Sequence, residues 1–203
     1  MKLPDIMNHM KRCAFWLLLA SSTAQAAELW TYWIEPCANA TASDANCKPG
    51  DTELARWALE AWRQSAAGGL LLKPVSQESA ARLRIYWVSG RSQLYGEARP
   101  FAFEGKRGAE VHVLPSIVRP GEDALLRETV VYLTCLHETG HALGLAHTDG
   151  FADIMYTFQF GGDIPEYFGR FRRQLKLRSD IAHTNAISAA DHAALLATLR
   201  MVP

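Results

Sequence analysis

The spacing of apolar positions changes several times along the chain, and each change marks an element. Trp30-Thr31-Tyr32-Trp33-Ile34 is aromatic and β-branched, the composition of a strand. The stretch from Glu35 to Gly50 reads as loop, broken by Pro36, Asn39, Asp44, Asn46 and Pro49. Leu54, Trp57, Ala58, Ala61 and Trp62 then recur at the i, i+3, i+4, i+7, i+8 spacing of an amphipathic helix, with Asp51 as its expected N-cap and Gly68-Gly69 as its stop. Leu70-Leu71-Leu72 begins a second strand, and Arg82 to Val88 alternates as a third. Leu94 to Phe103 and Glu110 to Val118 predict two more, separated by Gly105 and Gly108. A long helix is predicted to start after Pro120-Gly121 and run to Leu143. Leu126, Val130 and Leu133 share one of its faces with His137 and His141, and Val131 and Leu136 widen the apolar surface. Asp163-Ile164-Pro165-Glu166 has the form of a helix start, with Ile164, Phe168, Phe171 and Leu175 on one side. The simplest reading is a short helix packing that side on the core, with Arg170, Arg173 and Arg178 solvated outside. Ser188-Ala189-Ala190-Asp191 caps a last helix through Leu199. No internal repeat and no second domain is visible.

The chemistry sits at the end of the long helix, in His137-Glu138-Thr139-Gly140-His141-Ala142-Leu143-Gly144-Leu145-Ala146-His147. At roughly 100° and 1.5 Å per residue, His137 and His141 lie on one face about one turn apart. A straight helix would carry His147 roughly 240° around from His141, away from any shared metal. The chain must therefore leave the helix between them. Gly144 stands where a left-handed residue can end the helix and turn His147 back. Glu138, beside the first imidazole, can reach a metal-bound water without binding the metal. A bare H-E-x-x-H arises by chance. Ordinary residue frequencies yield the fuller pattern in roughly one chain of this size in 10⁵. Asp153-Ile154-Met155-Tyr156 follows, with Met155 eight residues past His147.

These residues resemble the metzincin clan of zinc peptidases, whose signature is H-E-x-x-H-x-x-G-x-x-H followed by a methionine-containing turn. Within the clan, Met155-Tyr156 is most similar to the matrixins, the matrix-metalloprotease-like enzymes. Astacin-like and serralysin-like members place a tyrosine two residues after the methionine, where Thr157 stands here, so no tyrosine ligand is implied. The resemblance is specific over 137–156 and a matter of element order elsewhere. It implies an α+β, metzincin-like fold: a twisted, mostly parallel five-stranded sheet with three helices, and a zinc site between an N-terminal and a small C-terminal subdomain. It also implies a zinc endopeptidase with one catalytic Zn2+ held by His137, His141 and His147. Glu138 would act as general base on the zinc-activated water, and Met155 would form an apolar floor beneath the histidines. Phe158, Phe160, Tyr167 or Phe168 would line the pocket beside the metal.

Not everything in the family pattern is present. Arg91 to His112 holds one histidine and too few acidic groups for a structural zinc and calcium cage, so no second zinc is expected. His112 reads as a half-exposed strand residue, and Asp149 and Asp153 as turn formers around Gly150. No zinc-blocking pro-domain cysteine is expected either. Two other functional classes stay open: a catalytically silent zinc-binding module that grips a partner, and a zinc hydrolase of a non-peptide amide such as a cell-wall cross-link. The first is disfavoured because Glu138 is retained.

The first 26 residues change the compartment. Lys2, Lys11 and Arg12 precede the apolar run Cys13 to Ala20, and Ala24-Gln25-Ala26 has the form of a cleavage site. The reading is a cleaved secretory signal over 1–26 and a catalytic domain over 27–203, secreted or periplasmic. The apolar run is too short for a membrane anchor. Removing the leader leaves 18 basic and 20 acidic residues, a balance that argues against nucleic acid as partner. The expected partner is a protein or peptide substrate met by a monomer. Cys37 and Cys47 form a plausible disulfide in an oxidising compartment, and Cys135 faces away from the metal as a buried thiol.

Overall fold

Five strands pair into one sheet in the computed structural model, which describes residues 26–40, 45–89, 95–115 and 123–201. The strands are β1 (Glu28–Ile34), β2 (Leu70–Pro74), β3 (Leu83–Trp87), β4 (Gly96–Phe103) and β5 (Lys106–Val113), in the order β2-β1-β3-β5-β4. All neighbours run parallel except β4, which lies antiparallel to β5 at one edge. The predicted leader (apart from Ala26), Leu94, the end of the fifth strand at 116–118 and Pro120-Gly121 lie outside the described residues.

Helices α1 (Asp51–Ser65) and α2 (Ala124–Leu143) cover one face of the sheet. Trp30, Leu83, Ile85, Trp87, Val111 and Val113 point into the layer between them and are almost fully buried. Burying such side chains contributes roughly 1.5–3 kcal/mol each. The two helices are also joined by a hydrogen bond, Trp62 Nε1 donating to Leu136 O at 2.8 Å. Asp123 caps α2 by accepting from Leu125 N at 2.9 Å. From Val130 to Leu136 every residue of α2 is buried, so this helix runs through the core and is held from several sides.

The structure departs from the sequence expectations at four places. The fold has four helices where the family resemblance implied three; the fourth is α3 (Ile164–Arg172), the connector helix expected from Asp163 onward, which precedes α4 (Ala189–Arg200). Asp51 is not the N-cap of α1; Gly50 is. The Asp51 carboxylate accepts from Lys48 N at 2.8 Å and forms a buried ion pair with Arg127 of α2. A long-range cation has taken the carboxylate that a local cap would have used. The fifth strand starts at Lys106, not Glu110, because the turn is only Glu104-Gly105, both at positive φ (48° and 74°), as a two-residue hairpin with right-handed strand twist requires. Gly108 therefore lies inside β5. A Cβ there would come within 2.9 Å of both Arg82 O and the Phe101 ring.

The fourth departure concerns the connector arginines, which do structural work instead of standing in solvent. Arg178 pairs with Glu53 and with Glu128 (3.1 Å), donates to Gly50 O at 2.8 Å and lies 4.7 Å over the Trp57 ring. It ties the segment after α3 to α1 and α2. Arg170 lies 4.4 Å over the Tyr167 ring and donates to Phe151 O. Arg173 alone meets the expectation, in an exposed pair with Glu166.

Candidate metal centre

Helix α2 delivers the first two histidines and then stops abruptly. Gly144 adopts φ 106°, the left-handed conformation that few side chains tolerate, and Leu145 N closes the end by donating to Gly140 O at 3.0 Å. The chain reverses, and His147 returns to the rings it left. His141 Nε2 lies 3.1 Å from His137 Nε2 and 3.0 Å from His147 Nε2. Among the described residues the group consists of these three histidines.

The far nitrogens of two rings are fixed by the backbone. His137 Nδ1 is 2.6 Å from Ile154 O, and His141 Nδ1 is 2.9 Å from Leu145 O. A carbonyl only accepts, so both Nδ1 atoms carry hydrogen, and in the neutral rings both Nε2 atoms present lone pairs. Protonation does not relieve the contact. Burial, reinforced by the neighbouring rings, pushes His137 down to about 4, and burial also lowers His141 and His147. Lone pairs held this close call for a cation. Tetrahedral zinc with zinc–nitrogen bonds of 2.0–2.1 Å separates its ligand nitrogens by about 3.3 Å. Both separations from His141 Nε2 fall within a few tenths of an ångström of that value.

Glu138 is buried (7% exposed) on the next position of the helix. Its carboxyl packs against the edge strand at Gly96, where an added Cβ would lie 2.7 Å from Glu138 Cγ and 3.0 Å from Oε1. Burial, with a smaller push from Glu97, raises this carboxyl to about 8. The sign of the resulting pH dependence is definite. In metal-free protein the raised Glu138 contributes stability that is lost as pH climbs from about 4.5 through 8. The lowered histidines act oppositely, contributing stability that is lost as pH falls from 6.5 toward 4. Between pH 6.5 and 8 the His137 contribution is already in place while the carboxyl contribution is still being lost. The melting temperature of the metal-free protein is expected to fall across that window, and Glu138→Gln to flatten the fall. A rising melting temperature in the wild type would contradict this environment for Glu138.

The turn around Met155 packs against the helix that carries the first two histidines. A Cβ on Gly140, one residue before His141, would overlap the Met155 sulfur and lie 3.0 Å from Trp62 Cζ2, so the helix and the turn meet in direct contact. Thr148 N donates to Met155 O at 2.9 Å, and Thr157 N to Thr148 O at 3.3 Å, which ties the residue after His147 to the turn. Asp191, in the first turn of α4, accepts from Ile154 N (2.7 Å), Met155 N (3.2 Å) and Ser188 N (3.1 Å).

The remaining expected residues fall elsewhere. Asp149 is exposed, and Asp153 folds over Gly150 in a turn closed by Asp153 N donating to Gly150 O at 2.8 Å. His112 is half-buried on the opposite sheet face, stacked on Tyr86. Cys37 and Cys47 are disulfide-bonded, which removes them as ligands beside Asp51. Cys135 is fully buried and free, its thiol pushed up by burial. Tyr167 and Phe168 are core, Phe158 is half-buried, and Phe160 is 65% exposed.

Three positions at the site were not marked as functional in the sequence. Gly96 opens an edge strand and carries no motif. Asp191 was legible as half of a capping box, but its hold on the Met155 turn spans 36 residues. Arg107 donates to His141 O at 2.8 Å, capping the end of α2 from the hairpin, again without a local signal. No family model matches the chain, and no curated protein matches it.

Proposed function

We propose that this protein is a zinc-dependent endopeptidase, a metzincin with a matrixin-like catalytic domain, exported to the periplasm or beyond. The observation that carries the reading is the convergence of three imidazoles, two of them locked lone-pair inward by backbone carbonyls, with a buried carboxyl one residue from the first. The sheet order and the left-handed stop at Gly144 support the family. In this reading the sheet with α1 and α2 is the N-terminal subdomain, and the segment from Gly144 through α4 is the smaller C-terminal one. The Cys37–Cys47 disulfide supports an oxidising compartment. Among the described residues no helix is long and apolar enough to cross a membrane.

His137, His141 and His147 would hold the ion. Zinc in such a site lowers the pKa of a bound water to about 7 and polarises the scissile carbonyl. Glu138 takes a proton from the attacking water and returns it to the leaving amine. That role requires the carboxylate, and a dication nearby favours the charged form against the burial that raises it.

A peptide substrate is favoured by the outer edge of β4, which pairs with no other strand among the described residues. Leu114 N donates to Tyr95 O, so odd-numbered residues of β4 face β5 and even-numbered ones face outward. Gly96 and Ala98 therefore offer N–H and C=O groups to an extended chain beside Glu138, and Pro100 ends the row of donors. A quenched-fluorescence peptide library is the test. Cleavage that stops with chelator and returns with zinc is expected. Tight partner binding without cleavage would favour the silent module, and release of cell-wall fragments alone would favour the non-peptide hydrolase.

A further inference from the structure

Helix α3 is the part of the chain that the motif does not account for, and one of its side chains reaches the backbone that holds the metal centre. Tyr167, 4% exposed, directs its hydroxyl at Asp153 O (3.1 Å) and Ile154 O (3.2 Å). Ile154 O is the same atom that accepts from His137 Nδ1. Toward a carbonyl a phenol can only donate, and its single hydrogen is shared between Asp153 O and Ile154 O; at Ile154 O it joins the imidazole on an oxygen with two lone pairs. The Tyr167 ring is itself boxed in. Phe158 and Phe168 meet it edge-on with centroids 5.2 Å away, Phe151 does so at 5.8 Å, and the Arg170 guanidinium lies 4.4 Å over it. Arg170 in turn donates to Phe151 O, so α3 grips the loop before Met155 at two points. Asp191 holds the same turn through its N–H groups, while Tyr167 holds it through its carbonyls.

We infer that Tyr167 is a positioning residue for the metal centre: its hydroxyl fixes Ile154 O, which fixes the ring plane and tautomer of His137. This rests on the metal-site reading above. Partners of this kind typically change metal affinity 10–100-fold when lost. An indirect partner that shares its carbonyl is expected near the lower end.

Tyr167→Phe removes only the hydroxyl and keeps the ring in its aromatic box. The experiment is zinc competition against a chromophoric chelator on the full chain, wild type and variant, with the melting temperature of each metal-free protein read alongside. The cobalt-substituted proteins supply a second readout, the visible absorption band that reports ligand geometry. The expected result is a zinc dissociation constant raised about tenfold, a shifted cobalt band, and hydrolysis at saturating zinc that is much less affected. A lower metal-free melting temperature with zinc affinity within twofold of wild type would make Tyr167 a packing residue and overturn the inference alone. A wild type that competes for no zinc at all would sink the metal-site reading and this inference with it.

Discussion

Glu138→Ala is expected to abolish peptide hydrolysis while leaving zinc bound, whereas His141→Ala removes both metal and activity. The contrast follows from placement. The His141 ring turns Nε2 toward both neighbouring imidazoles, and losing it leaves a two-ligand site. Among the described residues the Glu138 carboxyl belongs to no ligand cluster, and it packs against Gly96 instead. General-base catalysis is typically worth 10²–10⁴-fold, and losing a shuttle used in both proton transfers places the effect in the upper part of that range. The comparison is made on kcat/KM with zinc content measured on the same preparations. Near wild-type cleavage by zinc-loaded Glu138→Ala would rule out the proposed role of the carboxylate.

The largest effect on stability is expected from Arg127→Ala. Arg127 and Asp51 form a two-pronged pair between α2 and α1, with the Asp51 side chain 1% exposed. Removing the guanidinium leaves a buried carboxylate with the Lys48 N–H as its remaining partner. Breaking a buried pair by deleting one side typically costs about 3–5 kcal/mol, because the other charge is stranded. Urea unfolding of the metal-loaded proteins should show that loss, with Arg178→Ala well below it since Arg178 and its acidic partners are partly solvated. A loss under about 1 kcal/mol for Arg127→Ala would mean that Asp51 finds water or another cation.

What the sequence makes legible here is local. His137, Glu138, His141 and Gly144 are fixed relative to one another by helical geometry, and the left-handed φ at Gly144 is the single conformational step needed to bring His147 back. The strands of β1 and β3, the amphipathic side of α1 and the Ser188 cap were equally readable, because period and cap chemistry are short-range signals. Most of the misses share a cause. Asp51 looks like a cap until Arg127, 76 residues on, claims its carboxylate. Arg170 and Arg178 look solvated until folding sets them over Tyr167 and Trp57. Gly108 looks like a turn glycine, yet it lies in β5, where Arg82 O and Phe101 leave no room for a side chain. The pairings of Asp51 with Arg127, of Arg178 with Trp57 and of Gly108 with Arg82 depend on which distant element arrives alongside, whereas Arg170 over Tyr167 is a contact three residues apart within α3 that the helical spacing already contained. The same limit hid Asp191 and Tyr167, whose hold on the Met155 turn exists only once α3 and α4 have packed.

His137, His141 and His147 are expected to form one high-affinity zinc site. Its most direct test is metal analysis of the purified chain after exhaustive dialysis, beside a His141→Ala variant treated identically. One zinc per wild-type chain and none in the variant is the expected result. Zinc-free wild type that takes up no metal on titration, or a variant that keeps a full equivalent, would contradict it.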